Sequence, residues 1–303
     1  MNNNEFNADA ASLSVDLSEA RQAVKENRFQ DALDLFEIIL ETDPDHIDSL
    51  YLVSVSSRYL KKFDESRKYI ERLLFIAPDM GRAYQELGHI HRDMGNLAKA
   101  AIHYRQACEL NPALLASWNS LYKYFVESKN KPAADHAREQ MEKLQSLPPA
   151  LLYIDQIMNE GRLGIAETQC RAFLKKNPTH TYAMSLLSEI ANRLGYFDDA
   201  EFLLEKAVEF EPKDGELRMK YAQILRKKQK FAKTMEQVNI LCDQYPDNHT
   251  YQAQKASEVM QNGGHEEAIK LLDNILEKNP YNFSTFTSKG HAQKTLGQTD
   301  QAI

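Results

Sequence analysis

Histidines, cysteines and clustered cations are the side chains of this 303-residue chain that could do chemistry, and their spacing assembles no catalytic centre. His89 and His91 stand two residues apart, so on a helix they diverge by about 200° and cannot share a metal ion. Cys108, Cys170 and Cys242 are odd in number and widely separated, which fits neither a disulfide framework nor a zinc site. Each falls in a stretch expected to be a packed helix, where a free cysteine behaves as a small hydrophobe. The nucleotide-loop, dinucleotide-fingerprint, H-E-x-x-H and G-x-S-x-G patterns are missing. Asn248-His249-Thr250 and Asn282-Phe283-Ser284 match a glycosylation acceptor, but the start MNNNEFNADAAS has no secretory character, so both read as chance. Arg226, Lys227, Lys228, Lys230 and Lys233 form a local basic run. It is either a solvated turn or a docking patch for an acidic partner.

The elements that would position such groups follow from composition and period. With 43% hydrophobic and 27% charged residues the chain can bury a core. A net charge of -7 argues against nucleic acid as a partner. No run approaches the roughly 18 apolar residues of a membrane span, so a membrane is not expected either. The unpaired thiols fit a reducing, cytoplasmic setting.

Prolines set the phase. Pro44, Pro78 and Pro112 are evenly spaced, and Pro178, Pro212, Pro246 and Pro280 keep the same interval. The stretch from Pro112 to Pro178 falls two positions short of two such intervals. Within the unit ending at Pro112, Tyr84, Leu87, Gly88, Ala100, Tyr104 and Ala107 recur at offsets that suit two antiparallel helices. Small residues permit close approach and large ones fill the gaps. Gly95 is expected to take the positive φ that closes the first helix, and Pro112 ends the second. The unit before it is degenerate, with Ser54, Ser66 and Ile70 where its neighbours carry Gly, Ala and an aromatic residue. The only tryptophan, Trp118, opens the unit after it. The slip of two is expected in the connection SLPPALL, from Ser146 to Leu152. The expected organisation is a disordered tail at 1–12, repeats one to four at 13–146, and repeats five to eight plus a begun ninth at 147–303.

These offsets resemble the tetratricopeptide pattern W-x2-L-G-x2-Y…A-x3-F…P. The resemblance implies an all-α, right-handed superhelical solenoid of about eight and a half helix pairs, a protein-interaction scaffold. In such solenoids the first helix of each unit lines a concave groove. Tyr51, Arg58, Arg82, Gln85, His89, Arg92, Asn119 and Lys123 are then the candidate groove residues. They form a cationic, hydrogen-bonding set suited to an extended or helical, acidic protein segment. The Lys, Asn, Asn, Lys, Arg order of the chaperone-tail carboxylate clamp is not present.

A narrower resemblance rests on LPPALL (147–152), EGRLGIAETQCRAFLKKNP (160–178), AMSLLSEIANRLGYFDDAEFLLEKAVE (183–209), RKKQKFA (226–232) and SKGHAQKTLGQTDQAI (288–303). These segments look like the N-terminal arrays of bacterial tetratricopeptide-repeat sulfotransferases, with Lys289 in place of an expected aromatic residue. That resemblance implies a substrate-presenting or regulatory arm. The catalytic domain, using 3′-phosphoadenosine 5′-phosphosulfate (PAPS), would lie beyond Ile303. The begun ninth repeat, with Leu296 and Ile303 lacking partners, carries the same expectation. Residues 1–303 themselves supply no catalytic residue. The rival expectation is a stand-alone adaptor or an assembly or secretion chaperone.

Overall fold

The computed structural model describes residues 17–297, and every regular element among them is an α-helix. The expected tail at 1–12 and the second helix of repeat nine lie outside the described residues. The chain divides into two compact units, Met1–Arg162 and Leu163–Ile303. The first holds α1 (17–25), α2 (Phe29–Thr42), α3 (Ile47–Tyr59), α4 (Phe63–Ile76), α5 (Gly81–Asp93), α6 (Leu97–Leu110), α7 (Leu115–Glu127), α8 (Lys131–Gln145) and α9 (Pro149–Asn159). The second holds α10 (Leu163–Lys176), α11 (Thr181–Arg193), α12 (Phe197–Phe210), α13 (Gly215–Lys227), α14 (Phe231–Gln244), α15 (His249–Gln261), α16 (His265–Lys278) and α17 (Phe283–Thr295). From α2 to α8 and from α10 to α17 successive helices pack as antiparallel neighbours, the arrangement of an all-α solenoid.

Sequence chemistry explains the helix ends. Asp43, Ala77, Asn111, Glu211, Tyr245 and Asn279 close second helices, and each is followed by one of the phasing prolines. First helices start on side-chain caps where the residue type allows. Asp214 accepts from Leu217 N–H, and Asn248 from Thr250 and Tyr251 N–H. Between the helices of each pair one residue takes positive φ. Gly95 does so at 81°, as expected, and Asn27, Lys61, Lys129 and Gln229 do the same without being glycine.

Packing follows the small–large logic. A methyl group on Gly88 would sit 2.6 Å from the Tyr104 ring, so α5 and α6 are as close as their side chains permit. Tyr104, Cys108, Leu121 and Phe125 are buried with Ala100, Ala134 and Ala137 in one core cluster. In the degenerate repeat two serines replace the small apolar pair. Ser66 Oγ donates to the Ser54 carbonyl at 2.7 Å, and Ser54 Oγ donates to the Ser66 carbonyl at 2.9 Å. Both hydroxyls are fully buried and satisfied, so the pair costs little. The position after each proline turn also has a job. Trp118, Arg218 and Gln252 each donate to a proline carbonyl six residues earlier, at Pro112, Pro212 and Pro246.

The slip of two does not fall in the SLPPALL connection. α9 begins at Pro149, one full proline interval after the start of α7 at Leu115, so that connection keeps the step. The deficit lies in α9 itself, which has 11 residues where α3, α5 and α7 have 13. The compact units divide between Arg162 and Leu163, one helix beyond the expected seam at 146–147.

Candidate functional site

The predicted groove residues of the first unit sit on α3, α5 and α7, and most are engaged with acids of the same chain. Arg58 Nε lies 2.5 Å from Glu86 Oε1, and its Nη1 lies 3.1 Å from Asp93 Oδ2. Arg82 Nε lies 2.5 Å from Glu160 Oε1, with its guanidinium over the Tyr51 ring at 4.9 Å. Arg92 binds Asp93 at 2.8 Å. Gln85 Oε1 accepts from the Ser117 hydroxyl at 2.9 Å. Asn119 and Lys123 are exposed on α7, apart from this network. The structure therefore brings Tyr51, Arg58, Arg82 and Arg92 together, but as one neutralised network rather than an open cationic face.

Charge and burial set the protonation states. Burial pushes the Glu86 and Glu160 carboxyls up against the pull of Arg58 and Arg82, and pushes the Tyr51 phenol up. Asp93 is raised by burial but held below the ordinary value by hydrogen bonds from Arg92 and Arg58. His89 is depressed to about 3 by burial and by the charges of Arg58 and Arg92. Its Nδ1 lies 2.7 Å from the Tyr104 hydroxyl and 3.3 Å from Arg92 Nη1. A guanidinium can only donate, so Nδ1 accepts and the ring is neutral. His91 turns away from His89 and stacks on His103, with centroids 5.1 Å apart and both Nδ1 atoms buried without a hydrogen-bond partner.

Glu160 is not among the predicted site residues, and it reports an unexpected path. It caps the C-terminal end of α9. In the regular array side chains bridge neighbouring first helices about one repeat apart in sequence, as Ser117 does to Gln85 and Lys220 does to Ser185. α9 breaks that rule. Gln156 Nε2 donates to the Ala113 carbonyl at 3.0 Å, and the Gln156 carbonyl accepts from Asn111 Nδ2 at 3.1 Å. Glu160 then reaches Arg82, and its field is felt at Tyr51. The C-terminal half of α9 thus runs past the starts of α7 and α5 instead of stacking beside α7. No local signal in PALLYIDQIMN marks this, because the helix keeps an ordinary apolar stripe of Leu151, Ile154, Ile157 and Met158.

The second unit keeps an open site. Between α11 and α13 lies a cavity of about 570 Å³ lined by Ser188, Asn192, Lys220, Gln223 and Lys227. The basic run divides here. Lys228 and Lys230 are tied to Glu201 on α12, and Arg226 is paired with Glu258 on α15 at 3.1 Å. Lys227 instead donates to the neutral Asn192 Oδ1 at 2.8 Å, beside the Phe197 ring. Lys220 donates to the Ser185 hydroxyl at 2.9 Å. Lys289, where the resemblance expects an aromatic residue, pairs with Asp273 at 2.6 Å.

Residues 81–114 and 182–214 match the sequence profile of the tetratricopeptide repeat family. Each match spans one helix pair. They are pairs three and six of the array, α5–α6 and α11–α12, and the other pairs keep their period except for the one that α9 opens, which is two residues short. No curated protein matches the chain. Among solved structures, a crystal structure of MamA is 17% identical over 49% of this chain and 87% of its own, with a TM-score of 0.45. The APC/C hetero-tetramer Cut9–Hcn1 is 16% identical over 91% of this chain and 55% of its own, with a TM-score of 0.42. The structure of Naa15/Naa10 bound to HypK-THB is 16% identical over 93% and 44%, with a TM-score of 0.40.

The three cysteines are buried and free. Burial pushes the Cys108 and Cys170 thiols up to about 12 and raises Cys242, which leaves them unreactive as nucleophiles. No helix among the described residues is long and apolar enough to cross a membrane.

Proposed function

We propose that this chain is a polypeptide-recognition scaffold that receives a segment of a partner protein along the first helices of its repeats. The observation that carries the reading is the cavity between α11 and α13, where Ser188, Asn192, Lys220, Gln223 and Lys227 surround an apolar floor of Leu204 and Ile224. A reducing, cytoplasmic setting suits the three buried free thiols.

The finer reading, an arm of a PAPS-dependent sulfotransferase whose catalytic domain follows Ile303, is supported by the segment resemblance alone. It predicts sulfuryl transfer by the intact protein from its native host, and none by residues 1–303.

The scaffold reading is tested by placing a photo-crosslinking phenylalanine analogue at Gln223 in the cavity, and at Lys270 on the exposed face of α16. In host extract the Gln223 probe should capture a discrete polypeptide and the Lys270 probe should not. Equal capture at both, or none at Gln223, would overturn the reading.

A further inference from the structure

Lys220 and Lys227 are seven residues apart on α13, and so are the groups that hold them, Ser185 and Asn192 on α11. Two helical turns separate the members of each pair, so both lysines lie on one face of α13 about 10 Å apart along its axis. The two helices therefore carry the same arrangement twice: an ammonium from α13 resting on a neutral oxygen from α11.

This arrangement differs from the lysines beside it. Lys228 and Lys230 have carboxylates at hydrogen-bond distance, and a cation so paired has little attraction left for a ligand. A hydroxyl or an amide oxygen leaves the ammonium's charge uncompensated. Glu189 and Arg226 also line the cavity, but Arg193 and Glu258 neutralise them. The cavity thus holds two uncompensated positive charges in a chain whose formal net charge is -7.

We propose that this cavity binds an acidic protein segment presenting two carboxylates about 10 Å apart, one to each of Lys220 and Lys227. A helix with acidic residues two turns apart has that spacing on one face, and it is the occupant the geometry fits. An extended strand places same-face side chains about 6.6 or 13 Å apart and matches less well. Asn192 and Gln223 supply amides beside the carboxylates. A polyanionic nucleic acid is disfavoured, because the local charge is confined to two lysines within an acidic protein. The proposal rests on the scaffold reading and names the chemistry of its ligand.

The test uses the whole chain and a fluorescent, alanine-based helical peptide with two glutamates seven residues apart. Anisotropy should show saturable binding that weakens with salt. Lys220→Ala and Lys227→Ala should each weaken it by about tenfold, while Lys270→Ala leaves it unchanged and Lys227→Arg retains most of it. Unchanged thermal melts would exclude misfolding, since both lysines are exposed. A peptide with glutamine at both positions that binds as well, equal binding by the double lysine variant, or tighter binding of an oligothymidylate would each overturn the proposal. If Gln223 still captured a polypeptide in any of those cases, the scaffold reading would stand and only the carboxylate assignment would fall.

Discussion

Arg58 and Glu86, on neighbouring first helices, form an ion pair of 2.5 Å with only 8% and 2% of their side chains exposed. Asp93 adds a second carboxylate to the same guanidinium. Removing one partner leaves the other charge buried and alone, which costs far more than the intact pair contributes. Arg58→Ala should lower unfolding free energy by about 3–5 kcal/mol in denaturant titrations. Replacing both residues, as Arg58→Met with Glu86→Leu, should recover most of that loss. A double variant no more stable than the single one would show that the pair does more than satisfy itself.

Three histidines of repeat three give a pH dependence of definite sign. His89 is depressed to about 3, and His91 and His103 are depressed by burial with Lys99 beside both, Arg67 facing His91, and Glu71 opposing them only at His91. The unfolded chain titrates near 6.5, so below that pH it binds protons that the folded chain refuses. Stability should therefore be full above about pH 6.5 and fall as pH drops toward 3. His89→Gln, which can still accept from the Tyr104 hydroxyl, should flatten the slope by up to about 1.4 kcal/mol per pH unit. Melting temperatures at pH 4, 5, 6 and 7 check this; parallel curves for both proteins would contradict it.

Lys61, Lys129 and Gln229 take φ of 61°, 57° and 57° at turns where other pairs have glycine. A Cβ in that region is strained by roughly 1–2 kcal/mol, partly offset by the greater freedom glycine has when unfolded. All three side chains are exposed, so little packing is lost on truncation. Lys61→Gly, Lys129→Gly and Gln229→Gly should each stabilise the chain by about 0.5–1 kcal/mol. Gly95→Ala should do the opposite by a similar amount, and chemical denaturation will separate the two directions.

Glu160 holds the end of α9 through a single buried carboxylate on Arg82. Glu160→Ala should speed amide exchange across Leu151–Met158 by about tenfold or more, the effect of leaving a half-buried guanidinium without its acid. Exchange measured by mass spectrometry on the whole chain reads this directly. Unchanged protection would mean that Gln156 and the apolar side of α9 suffice.

Much of this architecture is written in local spacing. Seven prolines, the glycine at Gly95 and the small residues Gly88, Ala100 and Ala107 are short-range requirements, so helix pairs and their period are legible without a structure. The groove's charge is not. Glu86 looks like any exposed helical acid until α3 and α5 are stacked, and only then does Arg58 close on it. Glu160 is harder still, since more than two whole repeats separate it from Arg82 and nothing in the intervening pattern announces a helix that leaves the stack. The basic run at Arg226–Lys233 is visible in the sequence, but its division depends on partners in the neighbouring repeats on either side. The predicted groove is drawn in the repeats where acids occupy it, whereas Lys220, which keeps the second unit's cavity cationic, lies outside the run.

An array of stacked pairs behaves as a one-dimensional chain in which each repeat feels only its neighbours, so ends can fray while the middle holds. α9 introduces a term that such a chain lacks, because it ties the close of repeat five's first helix to the start of repeat three. Fraying of the third pair would also cost the Arg82–Glu160 contact, and release of α9 would expose a charge on the third pair. The segment between them gains the all-or-none character of a closed ring. It also inherits a ring's kinetic handicap, since its ends must find each other across a long loop before that contact contributes. The first unit should therefore unfold as one cooperative block.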